Sequence, residues 1–191
     1  GGHFKYQSGD TQLLGIVIER ALNSKSLSQY FQEEFWQPMG MELDAQWSKD
    51  NPEGIEKTYC CFNATARDFA KLGQLLLNNG NWYGKQLLST EFVQKMVLPN
   101  KKAFGPNEPQ IYGYSVWMDY DYKTPFYAML GHLGQRVIVI PSANLVIVRT
   151  GKTHDDLPNT NPIADGDVYR LVDEAMRINE KVSENDTANS L

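Results

Sequence analysis

A chain of 191 residues, 41% hydrophobic and 12% aromatic, is long enough to bury a sizeable core as one domain and is not disordered by composition. Its net charge of −5 and pI near 5.2, with no clustered excess of Lys and Arg, exclude a phosphate-binding nucleic-acid surface. No run approaches the roughly 18 consecutive apolar residues that a bilayer-spanning helix needs. Gly1-Gly2-His3 carries no basic segment followed by an apolar one, which leaves the compartment open between exported or periplasmic and cytoplasmic.

In chain order, Leu13, Leu14, Val17, Ile18, Ala21 and Leu22 recur at helical spacing over 10–23, with Ser8 or Asp10 placed to cap the first turn. Residues 28–35 read as a shorter helix ended near Pro38 and Gly40, with Tyr30, Phe31 and Phe35 or Trp36 on its buried side. Residues 42–57 lack a period and read as loop. Cys60 and Cys61 are adjacent, and the tight ring they would close favours buried thiols over a disulfide.

Residues 65–79 carry the clearest helical pattern: Thr65 and Asp68 form a capping box, Phe69, Leu72, Leu75 and Leu76 form the stripe, and Gly80 supplies the left-handed stop. Gly84 opens a turn. Another helix spans 90–97, capped by Ser89 or Thr90 and stopped by Pro99, before a polar loop over 100–109. From Tyr112 to Met118 the period changes to alternation, and a meander follows through 126–130, 136–140 and 145–149, the last two joined by Pro141-Ser142-Ala143-Asn144. Helices must cover this sheet, and 165–179 supplies one, followed by a polar tail over 181–191. The fold class is therefore α+β, an antiparallel sheet packed against helices.

The segments Phe4-Lys5-Tyr6-Gln7-Ser8-Gly9-Asp10 and Leu130-Gly131-His132-Leu133-Gly134-Gln135 stand out, with Thr65-Ala66-Arg67-Asp68 and Gly80-Asn81-Trp82-Tyr83-Gly84 between them. Each is weak alone, but their order and spacing resemble the penicillin-recognising serine hydrolases, on the branch of class C β-lactamases and their esterase and amidase relatives. The resemblance runs from about residue 3 to about residue 180, and it implies the C-terminal portion of a β-lactamase/transpeptidase-like fold. The first motif of that family, Ser-x-x-Lys, has no match, because no serine here is followed by lysine at the third position. The expectation is that the nucleophile lies on an N-terminal portion of the same protein.

Tyr6 precedes a helix N-terminus, where free N–H groups and the macrodipole favour a phenolate. The resemblance implies that Tyr6 moves the proton between the missing serine and the leaving group, and that Ser8 faces the same cleft unless it is spent as a helix cap. Ser8 stands where asparagine is commonest, and His132 where classical β-lactamases have lysine. By the same resemblance His132 donates to substrate or tunes Tyr6, Gly134 leaves room for an acyl group, and the Gln135 N–H is half of an oxyanion hole. Tyr112 and Trp117, with Trp82 and Tyr83, are candidates to line the acyl pocket. The implied activity is hydrolysis of a small acyl substrate, an ester, amide or lactam, through an acyl-serine intermediate, with no cofactor and no zinc-type ligand spacing. The alternative is a non-catalytic binding module on the same fold.

Overall fold

A computed structural model describes residues 4–23, 25–100, 110–152 and 166–188. The first helix, α1 (Ser8–Ala21), starts ahead of its apolar pattern. Gln7 is its N-cap and no side chain caps it, so Ser8 lies inside the first turn rather than capping it. Its apolar stripe does not face a core: Leu13, Leu14, Val17 and Ile18 are exposed, whereas Gly15 is buried against Thr58.

Helix α2 (Leu27–Phe31) opens on a capping box in which the Ser26 hydroxyl accepts from the Gln29 N–H and the Gln29 side chain reaches back. It runs into a π-helical turn, Gln32–Trp36, and stops at Gly40, whose φ is +61°. The stretch read as loop holds a short strand, β1 (Gln46–Trp47), paired antiparallel with β2 (Phe62–Asn63), and a bridge from Lys49 to Glu56. Two-residue strands are too short to show an alternating pattern. Their register sets Phe62 among Phe31, Trp36 and Trp47, with ring centroids 5.4 to 5.7 Å away.

The cysteines differ from expectation: Cys60 and Cys61 form a disulfide, and Cys61 is exposed rather than buried. In an extended chain adjacent side chains point to opposite sides. Cys61 instead takes a φ of +68°, which breaks that alternation and lets the two sulfur atoms meet.

Helix α3 (Ala66–Leu77) has Thr65 as its N-cap, accepting from the Asp68 N–H at 3.1 Å. The reciprocal half of the box is absent. The buried Asp68 carboxylate instead accepts from the N–H groups of Glu42 (2.7 Å) and Leu43 (3.4 Å) and from the Thr65 hydroxyl (2.8 Å), tying the chain after Gly40 to the helix. Burial works against its charge, but these donors and the Lys71 ammonium together hold it below the usual carboxylate range. A depressed folded-state pKa contributes stability above the unfolded value of about 3.9, lost as pH falls through the folded value. Asp68→Asn is expected to cost about 2 kcal/mol at pH 7, with the gap to the parent closing below about pH 4 in urea unfolding.

Helix α3 ends as its sequence requires, with the Gly80 N–H on the Leu75 carbonyl at 2.8 Å. A tight hairpin follows, β3 (Asn81–Trp82) and β4 (Lys85–Gln86), turning on Tyr83 and Gly84, both at positive φ. Helix α4 (Thr90–Val97) is capped by the Ser89 hydroxyl, which accepts from the Phe92 N–H. The loop proposed over 100–109 lies outside the described residues from 101 onward.

The main sheet has four strands in chain order, all antiparallel: β5 (Trp117–Asp119), β6 (Phe126–Leu130), β7 (Arg136–Ile140) and β8 (Leu145–Arg149). β5 is shorter than the alternation suggested. Gly113 to Val116 form a turn instead, with the Gly113 N–H on the Val116 carbonyl at 2.9 Å, because Gly113 lies under the end of α4. A Cβ there would stand 2.1 Å from the Met96 carbonyl oxygen. One sheet face packs Trp117, Phe126, Ala128, Ile138 and Ile140 with Val168 and Val172 of α5 (Gly166–Ala188). The other packs Met118, Tyr127 and Val139 with Leu76 of α3 and Val93 of α4. α5 extends well past the apolar pattern and is fastened by Tyr169 to Asp119 (2.7 Å) and by Asp173 to Tyr122 and Lys123. The result is an α+β sandwich. No helix among the described residues is long and apolar enough to cross a membrane.

Candidate active site

Tyr6 lies in the extended chain just before α1, with half of its surface open. Its ring leans on Trp117 (5.3 Å between centroids) and meets Tyr112 edge-on (5.9 Å), while Phe4 contacts Tyr112 from 5.2 Å and Trp117 from 6.2 Å. Trp117 is buried in the sheet face beneath α5, so Tyr6 is seated on rigid structure at its base and solvated at its edge. Burial, and then the neighbouring Tyr6, hold the Tyr112 phenol above its ordinary range against an opposing Ser115 hydrogen bond. Tyr112 is therefore built to stay protonated. The Tyr112–Trp117 bridge and the tight turn between them explain how both rings reach Tyr6.

The second candidate segment is the turn between β6 and β7. His132 is exposed at the start of a 3-10 turn, His132–Gly134. Leu133 and Gly134 both have positive φ, +56° and +78°. The Gly131 N–H donates to the Gln135 carbonyl at 2.8 Å, and the Gln135 N–H donates to the His132 carbonyl at 3.3 Å. That second bond is long, so an incoming anion would have only a weak internal bond to displace at the Gln135 N–H.

Two arginines outside the sequence motifs build this turn. Arg136 and Arg149 face each other across the β7–β8 pair, where like charges repel unless each finds acceptors of its own. The buried Arg136 donates to the carbonyls of Gly131 (2.9 Å) and Gln135 (3.0 Å). Arg149 donates to the Gly134 carbonyl (2.6 Å) and pairs with Asp167 of α5 at 3.5 Å. A Cβ on Gly134 would lie 1.9 Å from Arg149 Nη1, so the observed neighbour requiring glycine is this guanidinium. The Gln135 amide is spent on Gly151, giving to its carbonyl and accepting its N–H at 3.1 Å. Matching arginines at the two ends of a symmetric hairpin were the available sequence signal.

The structure thus gathers Tyr6, Tyr112 and Trp117 into one cluster and His132, Gly134 and Gln135 into one turn. Trp117 pairs with Ala128 on β6, the strand that runs directly into that turn. Ser8 is exposed in the first turn of α1. Trp82 belongs to a separate cluster with Met39 and Leu75, and Tyr83 is exposed at its hairpin tip. An open cleft of about 810 Å³ lies among Phe31, Trp36, Glu42, Trp47 and Phe62, and none of the sequence-named site residues lines it.

Known proteins match both the sequence and the fold of this chain. The sequence model of the Beta-lactamase family matches residues 1–170. The chain belongs to the β-lactamase family. Among solved structures, this family member is similar to one assigned as a 6-aminohexanoate-dimer hydrolase from Bacillus anthracis, at 33% identity and a TM-score of 0.77, covering 96% of this chain and 45% of that one. A second, assigned as a β-lactamase from Bacteroides dorei DSM 17855, is 18% identical with a TM-score of 0.64, covering 88% of this chain and 57% of that one, and shows the shared fold. The β-lactamase-family chain spans about half the length of these structures.

Proposed function

We propose that this chain supplies the Tyr6 and His132 portion of a serine hydrolase that cleaves a small acyl substrate through an acyl-serine intermediate, with the nucleophilic Ser-x-x-Lys on a preceding portion. The observation that carries the reading is Tyr6 itself: a half-open phenol at a helix start, its ring fixed by Trp117 and Tyr112. A general base needs that combination of fixed position and access to substrate. Tyr6 takes the proton from the serine as its oxygen attacks the acyl carbon and returns it to the leaving group. The Gln135 N–H stabilises the developing oxyanion together with a donor from the serine's own portion, and His132 contacts the substrate from the turn.

The outward-facing Leu13, Leu14, Val17 and Ile18 on α1 support a second portion, since a stripe of that kind is ordinarily covered. Among ester, amide and lactam, the amide is favoured: the 33%-identical relative is named for hydrolysis of a 6-aminohexanoate dimer, whose units are joined through an amide. The test is denaturing intact-mass analysis after incubation with a fluorophosphonate probe. Protein carrying both portions is expected to gain one probe mass on the Ser-x-x-Lys portion, and this chain alone to gain none. Labelling of a serine within residues 1–191 would overturn the assignment.

A further inference from the structure

The loop that carries the disulfide is fastened at its other end to the helix that follows Tyr6. Thr58 donates its N–H to Gln12 Oε1 (3.0 Å) and its hydroxyl to the Thr11 carbonyl (2.8 Å), and Gln12 Nε2 returns a bond to the Glu56 carbonyl (3.1 Å). Contact is close enough that a Cβ on Gly15 would lie 2.4 Å from Thr58 Cγ2. Beyond Thr58 the Cys60 N–H donates to the Lys57 carbonyl at 3.1 Å. The Cys61 carbonyl accepts from the Ser48 N–H (3.1 Å) and from Asn63 Nδ2 (3.3 Å), at the point where β2 begins. The ring therefore joins two anchorages, one on the first turns of α1 and one on the β1–β2 pair. It also holds Cys61 at φ +68°, a region that a residue with a Cβ rarely adopts.

We propose that the Cys60–Cys61 disulfide is a thiol-exchange site that sets how loop 57–61 grips α1, with a dithiol as its reaction partner. Cys61 is the exposed member, and exposed disulfides are the ones that exchange. A thiolate of the dithiol attacks Cys61 Sγ, the Sγ–Sγ bond breaks, and Cys60 leaves as a thiolate that takes up a proton. The second thiol of the reagent then attacks the mixed disulfide, releasing Cys61 and closing the reagent's own disulfide, so two electrons pass to the protein. With the ring open, Cys61 is free to return to negative φ, its carbonyl turns away from Ser48, and the grip on Gln12 slackens. The consequence for catalysis rests on the proposal that Tyr6 is an active-site group; the exchange itself does not.

The test uses the purified 191-residue chain, alkylated in denaturant before and after dithiothreitol, with hydrogen exchange followed by mass spectrometry on both forms. No adduct is expected before reduction and two after it. Exchange across 48 and 57–61 is expected to be about tenfold faster in the reduced form, with α3 and β6 to β8 unchanged. Two adducts without reductant, or equal exchange in the two forms, would overturn the proposal. Cys61→Gly tolerates the positive φ but cannot close the ring, so it should exchange like the reduced parent and ignore dithiothreitol. A variant exchanging like the oxidised parent would remove the ring's role. Neither readout involves hydrolysis, so this proposal and the serine-hydrolase reading fail separately.

Discussion

In protein carrying both portions, Tyr6→Phe is expected to lower kcat/KM on an amide substrate by about 10²- to 10⁴-fold, the range for loss of a positioned general base. The substitution deletes the phenol oxygen but keeps the ring that packs on Trp117 and Tyr112, so folding should be nearly unaffected. Tyr112→Phe is the control within the same cluster. Its phenol is held protonated by burial and by Tyr6, and its loss should change kcat/KM by less than about tenfold. Fluorophosphonate labelling rates give the same comparison at the acylation step alone. A Tyr6→Phe enzyme within tenfold of its parent, with unchanged thermal unfolding, would remove Tyr6 from the mechanism and leave the non-catalytic binding module as the better account.

The contrast between Tyr6 and Tyr112 could not be read from the chain, and the reason is geometric. The motif around it, together with its place before a helix start, singled out Tyr6, whereas its ring partners depend on a tight turn at Gly113 to Val116 that an alternating pattern disguises as strand. Long periodic segments were legible because one period settles them. α3 and α4, the β6 to β8 meander and the Pro141–Asn144 connection follow from continuous patterns and from Thr65, Ser89 and Gly80 at their ends. Short or cooperative features were not. β1 and β2 exist through their partner and the aromatic rings around Phe62, and the disulfide goes together with a Cys61 φ that no propensity would assign. The stripe on α1 was read correctly as apolar, but a pattern states that a face needs covering and not what covers it.

Glycine positions separate the cost of backbone conformation from the cost of space, and they single out the larger stability effect. Gly80, Gly84 and Gly134 all have positive φ, at +81°, +92° and +78°. Gly84 has nothing within 4 Å of an added Cβ, so Gly84→Ala isolates the conformational term and should cost about 1 kcal/mol. At Gly134 the Cβ meets the end of the Arg149 side chain, which can swing aside only by releasing the Gly134 carbonyl and Asp167. At Gly80 it meets the Leu88 carbonyl oxygen at 2.1 Å, a backbone atom held by the turn itself, since the Gly80 carbonyl accepts from both Leu87 and Leu88 N–H groups. No rotamer relieves that overlap, so Gly80→Ala should cost about 3 to 5 kcal/mol and Gly134→Ala an intermediate amount. Urea unfolding of the three variants against the parent chain tests the order. Equal losses at Gly80 and Gly84 would mean that α3 and the β3–β4 hairpin can part at little cost. A Gly134→Ala chain that unfolds like its parent would mean that Arg149 does not hold the turn on which His132 and Gln135 stand.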